Sequence, residues 1–195
     1  GSGSLLEGKI SIIQKHEVQI EISKILKEEK ENTNQLSIAI CLTKNPARLE
    51  WFIEKATEIG ISNIYPMVSE RTEKEKIKQE RLQQIVISAA KQSGQLFFPI
   101  LHSIQKFSEL INSTNNQYNQ YFIAHCENQK QHLKNLYQKK ESALLLIGPE
   151  GDFTPTEIQQ AINKNYTPIS LGNSILRVET AGVVACSIVS IINAE

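Results

Sequence analysis

A chain of 195 residues with 40% hydrophobic and 22% charged side chains carries enough apolar material for one folded domain of about 100 to 200 residues plus a small appendage. Its 21 basic residues balance 21 acidic ones, so no overall basic field marks a nucleic-acid binder and any contact with a polyanion must be local. No apolar run approaches the roughly 20 residues of a membrane-spanning helix and nothing at the start reads as a secretory signal, which makes the cytoplasm the expected location.

Residues 5–26 alternate apolar and polar side chains in two runs, LEGKISIIQK and EVQIEISKIL, which predicts a β-hairpin turning near His16. A lone hairpin is marginal in water. The piece therefore reads as the remnant of a small β domain, joined to the rest by the polar stretch KEEKENTNQ over residues 27–35. Residues 1–35 are thus set apart from a main domain over 36–195.

From Leu36 onward short apolar runs alternate with amphipathic segments, the pattern of an α/β domain with a mostly parallel sheet. Strands are predicted over residues 37–43, 62–68, 97–101, 119–125, 143–148 and 167–171. A first helix opens with Asn45 as N-cap and Pro46 behind it, buries Leu49, Phe52, Ile53, Ala56 and Ile59, and stops at Gly60. Further helices are predicted over 78–92, 104–111, 129–138, 155–164 and 178–193.

Cys41, Cys126 and Cys186 are widely spaced among apolar neighbours and read as buried thiols rather than a disulfide framework or a metal knuckle. The four histidines never reach the spacing of a zinc pair, so no metal is expected. Only four arginines occur, Arg48, Arg71, Arg81 and Arg177. Their planar forks suit phosphate or base-edge contacts better than lysine does.

The chemistry concentrates in two loops. In ALLLIGPEGDFTPTEIQQAI, residues 143–162, an apolar strand runs into Gly148, Pro149, Glu150 and Gly151, and a capping box of Thr154 and Glu157 opens a helix. Glycines beside a carboxylate at the carboxyl end of a parallel strand let backbone approach a ligand closely. One strand later, SLGNSILRVETA over residues 170–181 sets Arg177 and Glu179 against an apolar final helix. Each loop alone also suits a plain strand-to-helix turn, with Glu179 favoured by the helix dipole.

Together the two loops resemble the signature of the SPOUT methyltransferases of the RsmE type, which modify uracil N3 in 16S ribosomal RNA. The resemblance extends to RLEWFIEKATEIGI (48–61), SER (69–71) and AAKQSG (89–94), in the same order. It implies an α/β sheet with a C-terminal trefoil knot, preceded by a fragment of a PUA-like β-barrel that helps hold RNA, and a homodimer acting on 16S rRNA or the small ribosomal subunit. The implied cofactor is S-adenosylmethionine (SAM), held by Ile147, Gly148, Glu150 and Gly151 from one loop and Leu171, Gly172, Ile175 and Leu176 from the other. Because uracil N3 must lose its proton before it attacks the methyl group, Arg177 is the candidate to stabilise the uracil anion or grip its phosphate, with Glu179 or Glu150 as the base or its orienting partner. Arg48 and Arg71 match the family and are expected either on the RNA-facing surface or in structural ion pairs; Arg81 reads as a solvated helix residue. Another SPOUT specificity, such as ribose 2′-O methylation, and a non-catalytic RNA-binding protein remain alternatives.

Three positions depart from the family pattern. Asp152, the only aspartate of the chain, stands where the family commonly has glycine. Ser174 and Gln95 stand where it often carries a basic residue, which removes two cationic contacts.

Overall fold

The computed structural model describes residues 3–29, 35–126 and 131–194. Strands β1 (Ser4–Ile13) and β2 (Val18–Glu28) form the expected antiparallel hairpin. Register shifts between Leu5 and Leu6, Glu7 and Gly8, and Ile10 and Ile12 twist it. Its apolar side chains, from Leu5 to Leu26, stay exposed. The hairpin is rooted at Gly3, whose amide donates to the Leu96 carbonyl at 3.1 Å and whose carbonyl accepts from Glu29 at 2.8 Å. Gly3 has a φ of +90°, and a side chain there would strike the Glu29 carbonyl and the Phe97 ring, so only glycine serves at this junction. The expected linker overlaps the end of β2; its residues 30–34 lie outside the described residues.

The main domain is a seven-stranded sheet in which every pairing is parallel. In chain order its elements are β3 (Leu36–Cys41), α1 (Pro46–Ile59), β4 (Asn63–Val68), α2 (Gln79–Ser93), β5 (Ile100–Leu101), β6 (Gln105–Lys106), α3 (Phe107–Ser113), β7 (Gln120–Ala124), α4 (Leu133–Leu136), β8 (Ala143–Ile147), α5 (Pro155–Ile162), β9 (Thr167–Ile169) and α6 (Val178–Ala194). The strands lie in the order β5-β4-β3-β8-β7-β9, with β6 also on β4. Chain order reverses direction between β3 and β8.

Because both sheet faces are covered, the central strands are nearly continuous apolar runs rather than alternating, with Ser37 of β3 the polar side chain they bury, paired to Asn63. In β8, Ala143, Leu145 and Ile147 join the core under α1, α2 and α6, whereas Leu144 and Leu146 face α3 and α5. Asn45 caps α1 as expected, its Oδ1 accepting from the Ala47 amide at 3.1 Å, and Gly60 ends the helix with a φ of +96°. Phe52 is fully buried, a contribution of about 2–3 kcal/mol. It lies against Gly182 of α6, where a Cβ would collide with its ring.

Three expectations need correction. The helix over 129–138 is reduced to the four residues of α4, because backbone at 131–133 is spent on the sheet edge: Ser170 N donates to Gln131 O at 2.9 Å and Leu133 N to Ser170 O at 3.0 Å. Its first residues, 129 and 130, lie outside the described residues. The helix expected from residue 104 starts at Phe107, since Gln105 and Lys106 pair with Met67 and Val68 of β4. The strand over 97–101 shrinks to Ile100–Leu101, as Pro99 has no amide to offer a ladder.

Two outcomes follow from this packing. Gly182→Ala should lose about 1–3 kcal/mol through overpacking, seen as a lower urea midpoint with unchanged slope. His102 stacks on Tyr65 at 3.9 Å and its Nε2 donates to Asn63 Oδ1 at 3.0 Å; burial lowers its pKa below the usual 6.5. Below about pH 6.5 the unfolded chain takes up a proton that the folded one resists. Stability present above that pH therefore falls as acid is added, down to the folded pKa, and His102→Gln should flatten this part of a pH series of urea melts.

Candidate active site

Residues 148–152 leave the carboxyl end of β8 and turn into α5. The capping box is formed: Thr154 Oγ1 accepts from the Glu157 amide at 3.3 Å, and Glu157 Oε2 from the Thr154 amide at 2.9 Å. The second oxygen of this buried carboxylate accepts from the Glu70 amide at 2.9 Å. One side chain thus satisfies the helix start and ties it to the loop after β4. Arg71 completes the brace, its Nη1 donating to the Gly151 carbonyl at 2.8 Å. Glu157→Ala removes an N-terminal helix contact and the partner of Glu70, and should cost about 2 kcal/mol in thermal or urea unfolding.

The second loop, residues 170–177, leaves β9. Ser170 Oγ accepts from the Gly172 amide at 3.1 Å, and Gly172 adopts a φ of +143° that suits glycine. Between the two loops opens a cavity of about 710 Å³. Its apolar wall comes from Ile147, Ile169, Leu171, Ile175 and Leu176, and its charged groups from Glu150, Asp152 and Arg177. Carboxyl-terminal strand residues Ala124, Ile147 and Ile169 all reach it.

A smaller cavity of about 410 Å³ lies between the starts of α1 and α6, lined by Ala47, Arg48, Trp51, Arg177, Glu179 and Thr180. Arg177 borders both cavities and has no ion-pair partner among the described residues. Glu179 is buried; its Oε1 stands 3.7 Å from Arg48 Nε, and its Oε2 has no hydrogen-bond partner. Arg48 also lies 3.8 Å from Glu150 Oε1, which accepts from the Lys44 amide at 3.0 Å. A cation therefore bridges the carboxylate of the first loop and the one in the first turn of α6.

Residues 29–190 match the RNA methyltransferase domain family. The chain belongs to that family. A relative from Aquifex aeolicus named ribosomal RNA small subunit methyltransferase E is 33% identical over 97% of this chain and 83% of its own. One of the same name from Mesomycoplasma hyopneumoniae is 30% identical over 84% of this chain and 72% of its own. The crystal structure of ribosomal RNA small subunit methyltransferase E from Neisseria gonorrhoeae, bound to S-adenosylmethionine, superposes with a TM-score of 0.79 at 27% identity, covering 96% of this chain and 78% of that one.

SAM is the methyl donor of this methyltransferase, and the larger cavity has the character such a ligand needs. Its size lies within the range of small-molecule sites, and an apolar bed with a rim of backbone groups and charges suits a heteroaromatic base, a ribose and a zwitterionic tail. Of the expected cofactor residues, Ile147, Gly148, Glu150, Leu171, Gly172, Ile175 and Leu176 all line the cavity. Gly151 instead faces Arg71, whose Cβ and Cδ would lie 3.5 Å from a side chain there.

Sequence reasoning missed the wall contributed by residues 124–126 and the part played by Asp152. Asp152 has a φ of +60°. Its Oδ2 accepts from the Cys126 amide and its Oδ1 from the Phe153 amide, both at 2.8 Å. Among the cysteines, Cys41 and Cys186 are buried, and burial pushes each thiol up to about 12, but Cys126 is exposed. That corrects the expectation of three buried thiols: Cys126 lies just past β7 on the cavity wall. Arg81 forms an exposed pair with Glu50, its Nη2 donating at 2.7 Å, and Gln95 Nε2 donates to the Glu58 carbonyl at 3.1 Å. Among the described residues no group of three or more His, Cys, Asp and Glu side chains could hold a metal, and no helix is long and apolar enough to cross a membrane.

Proposed function

We propose that this enzyme methylates N3 of a specific uridine in the 16S ribosomal RNA of the small subunit, with SAM in the larger cavity and the target base in the smaller one. The observation that carries this reading is the meeting of the two cavities at Arg177. When bound, SAM supplies an electrophilic methyl group and leaves as a neutral thioether. Uracil N3 carries a proton that must depart before its lone pair can attack, so the base has to be held with an acceptor at N3 and a cation nearby.

Glu179 Oε2 is buried with no hydrogen-bond partner among the described residues; it accepts a hydrogen bond from that N–H and then takes its proton, the carboxylate becoming the acid as the N3 lone pair is freed. Arg177, whose guanidinium has no ion-pair partner among the described residues, stabilises the anion left on the ring. Trp51, an exposed tryptophan on the same cavity, gives the unstacked base a flat surface. Arg48 orients Glu179 and faces the RNA at the rim. Arg71 spends one donor on Gly151 and has four left for phosphate. Ile147, Gly148, Glu150, Gly151, Leu171, Gly172, Ile175 and Leu176 form and hold the cofactor loops.

The wider family architecture is part of the same proposal. The chain after β9 at one sheet edge returns over β8 and β3 to pack α6 on α1, a path compatible with a trefoil knot. The outward face of α6, with Val184 and the exposed Ile191, offers an apolar stripe for a second copy in a homodimer. The exposed apolar hairpin side chains are what the last strands of a PUA-like barrel would turn toward its interior.

Mass mapping of 16S RNA from a deletion strain should show loss of one base methyl, restored by this chain. Loss of a ribose methyl, or of none, would overturn the assignment. Arg177→Ala should lower the methyl-transfer rate by about 100- to 1,000-fold, as for loss of one preorganised anion-stabilising donor, while calorimetry finds SAM affinity within a few fold of the parent.

A further inference from the structure

We propose that Asp152 makes the cofactor cavity discriminate by charge, favouring SAM over its demethylated product S-adenosylhomocysteine. The inference rests on reading the larger cavity as the SAM site. It starts from a conformational oddity: Asp152 has a φ of +60°, a region in which a side chain costs about 1 kcal/mol or more and glycine costs little. Two hydrogen bonds offset that cost and aim the carboxylate. Oδ2 takes the Cys126 amide from the end of β7, and Oδ1 takes the amide of Phe153.

Both donors are uncharged, so they orient the negative charge without neutralising it. Asp152 forms no ion pair among the described residues. Glu150, the other carboxylate on this cavity, lies 3.8 Å from the Arg48 guanidinium and accepts from the Lys44 amide. Among the described residues, Asp152 is therefore the carboxylate on the cavity wall that has no cation within ion-pair distance. Arg177, the cation that the described residues bring to this cavity, stands where it joins the smaller one.

Methyl transfer changes the ligand in one respect that such a charge can read. A sulfonium becomes a thioether, so the ligand loses one positive charge and a methyl group while its adenine, ribose and amino-acid tail stay the same. A carboxylate on the wall attracts the first form and is indifferent to that atom in the second. At the effective dielectric of a partly open site, this difference corresponds to about three- to ten-fold in relative affinity. The consequence is release of product in favour of fresh cosubstrate.

Asp152 also ties residue 126 to the cofactor loop, and a purely structural latch would weaken every ligand alike. Calorimetry on the full chain at low salt separates the two, with SAM, S-adenosylhomocysteine and sinefungin, in which a protonated amine replaces the sulfonium. In Asp152→Asn, which keeps the shape and one acceptor oxygen, SAM and sinefungin should weaken about five-fold while S-adenosylhomocysteine changes less than two-fold. Equal weakening of all three, or no change in any, overturns the proposal. Asp152→Gly, suited to the left-handed backbone, should show the same loss of preference and serves if the asparagine variant does not fold. A parent protein that binds none of the three ligands would instead overturn the reading of the cavity, and this proposal with it.

Discussion

Gly182 sits so close to the Phe52 ring that a methyl group has no room between them, and this contact governs how deeply α6 settles on α1. Glu179 lies three residues before Gly182, and Arg48 four residues before Phe52. Residues three or four apart share a helix face, so the register that places glycine under the ring also places Glu179 beside Arg48. Arg177, just ahead of α6, is carried to the boundary between the cavities by the same contact. A core interaction with no polar component thus aligns the charged groups of the site.

Polar bonds then hold the loops in shape, and they do so unequally. Glu157 is buried with both oxygens occupied, the condition under which a buried carboxylate is tolerable. Glu179 is equally buried, yet one of its oxygens has no partner and the other has only Arg48 at 3.7 Å. The desolvation cost left unmet at Glu179 is one that, in the proposed function, a ligand N–H meets. The contrast separates a carboxylate whose two oxygens brace the fold from one with an oxygen left unpaired among the described residues, although each lies in the first turn of a helix.

Much of this was legible in the sequence where the cause is local. The central strands could be read because a parallel sheet covered on both faces demands unbroken apolar runs, as in ALLLI of β8. The start of α5 could be read because Thr154 and Glu157 are three residues apart and satisfy each other. What could not be read joins distant residues: Arg71 to Gly151 across 80 positions, and Asp152 to Cys126 across 26. Gly151 was expected at the cofactor for its lack of a side chain, and that lack instead admits Arg71. The helix expected over 129–138 failed for a similar reason, since a tertiary pairing with Ser170 outweighs local propensity.

The hairpin adds a geometric constraint on RNA. Gly3 and Glu29 are anchored beside Leu96, just before β5, and β5 pairs with the opening residues of β4. The hairpin is therefore rooted at the amino-terminal edge of the sheet, whereas both loops of the larger cavity leave its carboxyl-terminal edge. Strands of six residues separate those edges by about 20 Å. Under the proposed function, RNA held by a barrel at one edge and entering its own subunit's cavities at the other must run the depth of the sheet. In the proposed homodimer, a two-fold axis beside α6 would offer a second route, from the barrel of one copy to the cavities of the other. The balanced net charge favours whichever route is lined by local cations, because no general field draws the RNA to either.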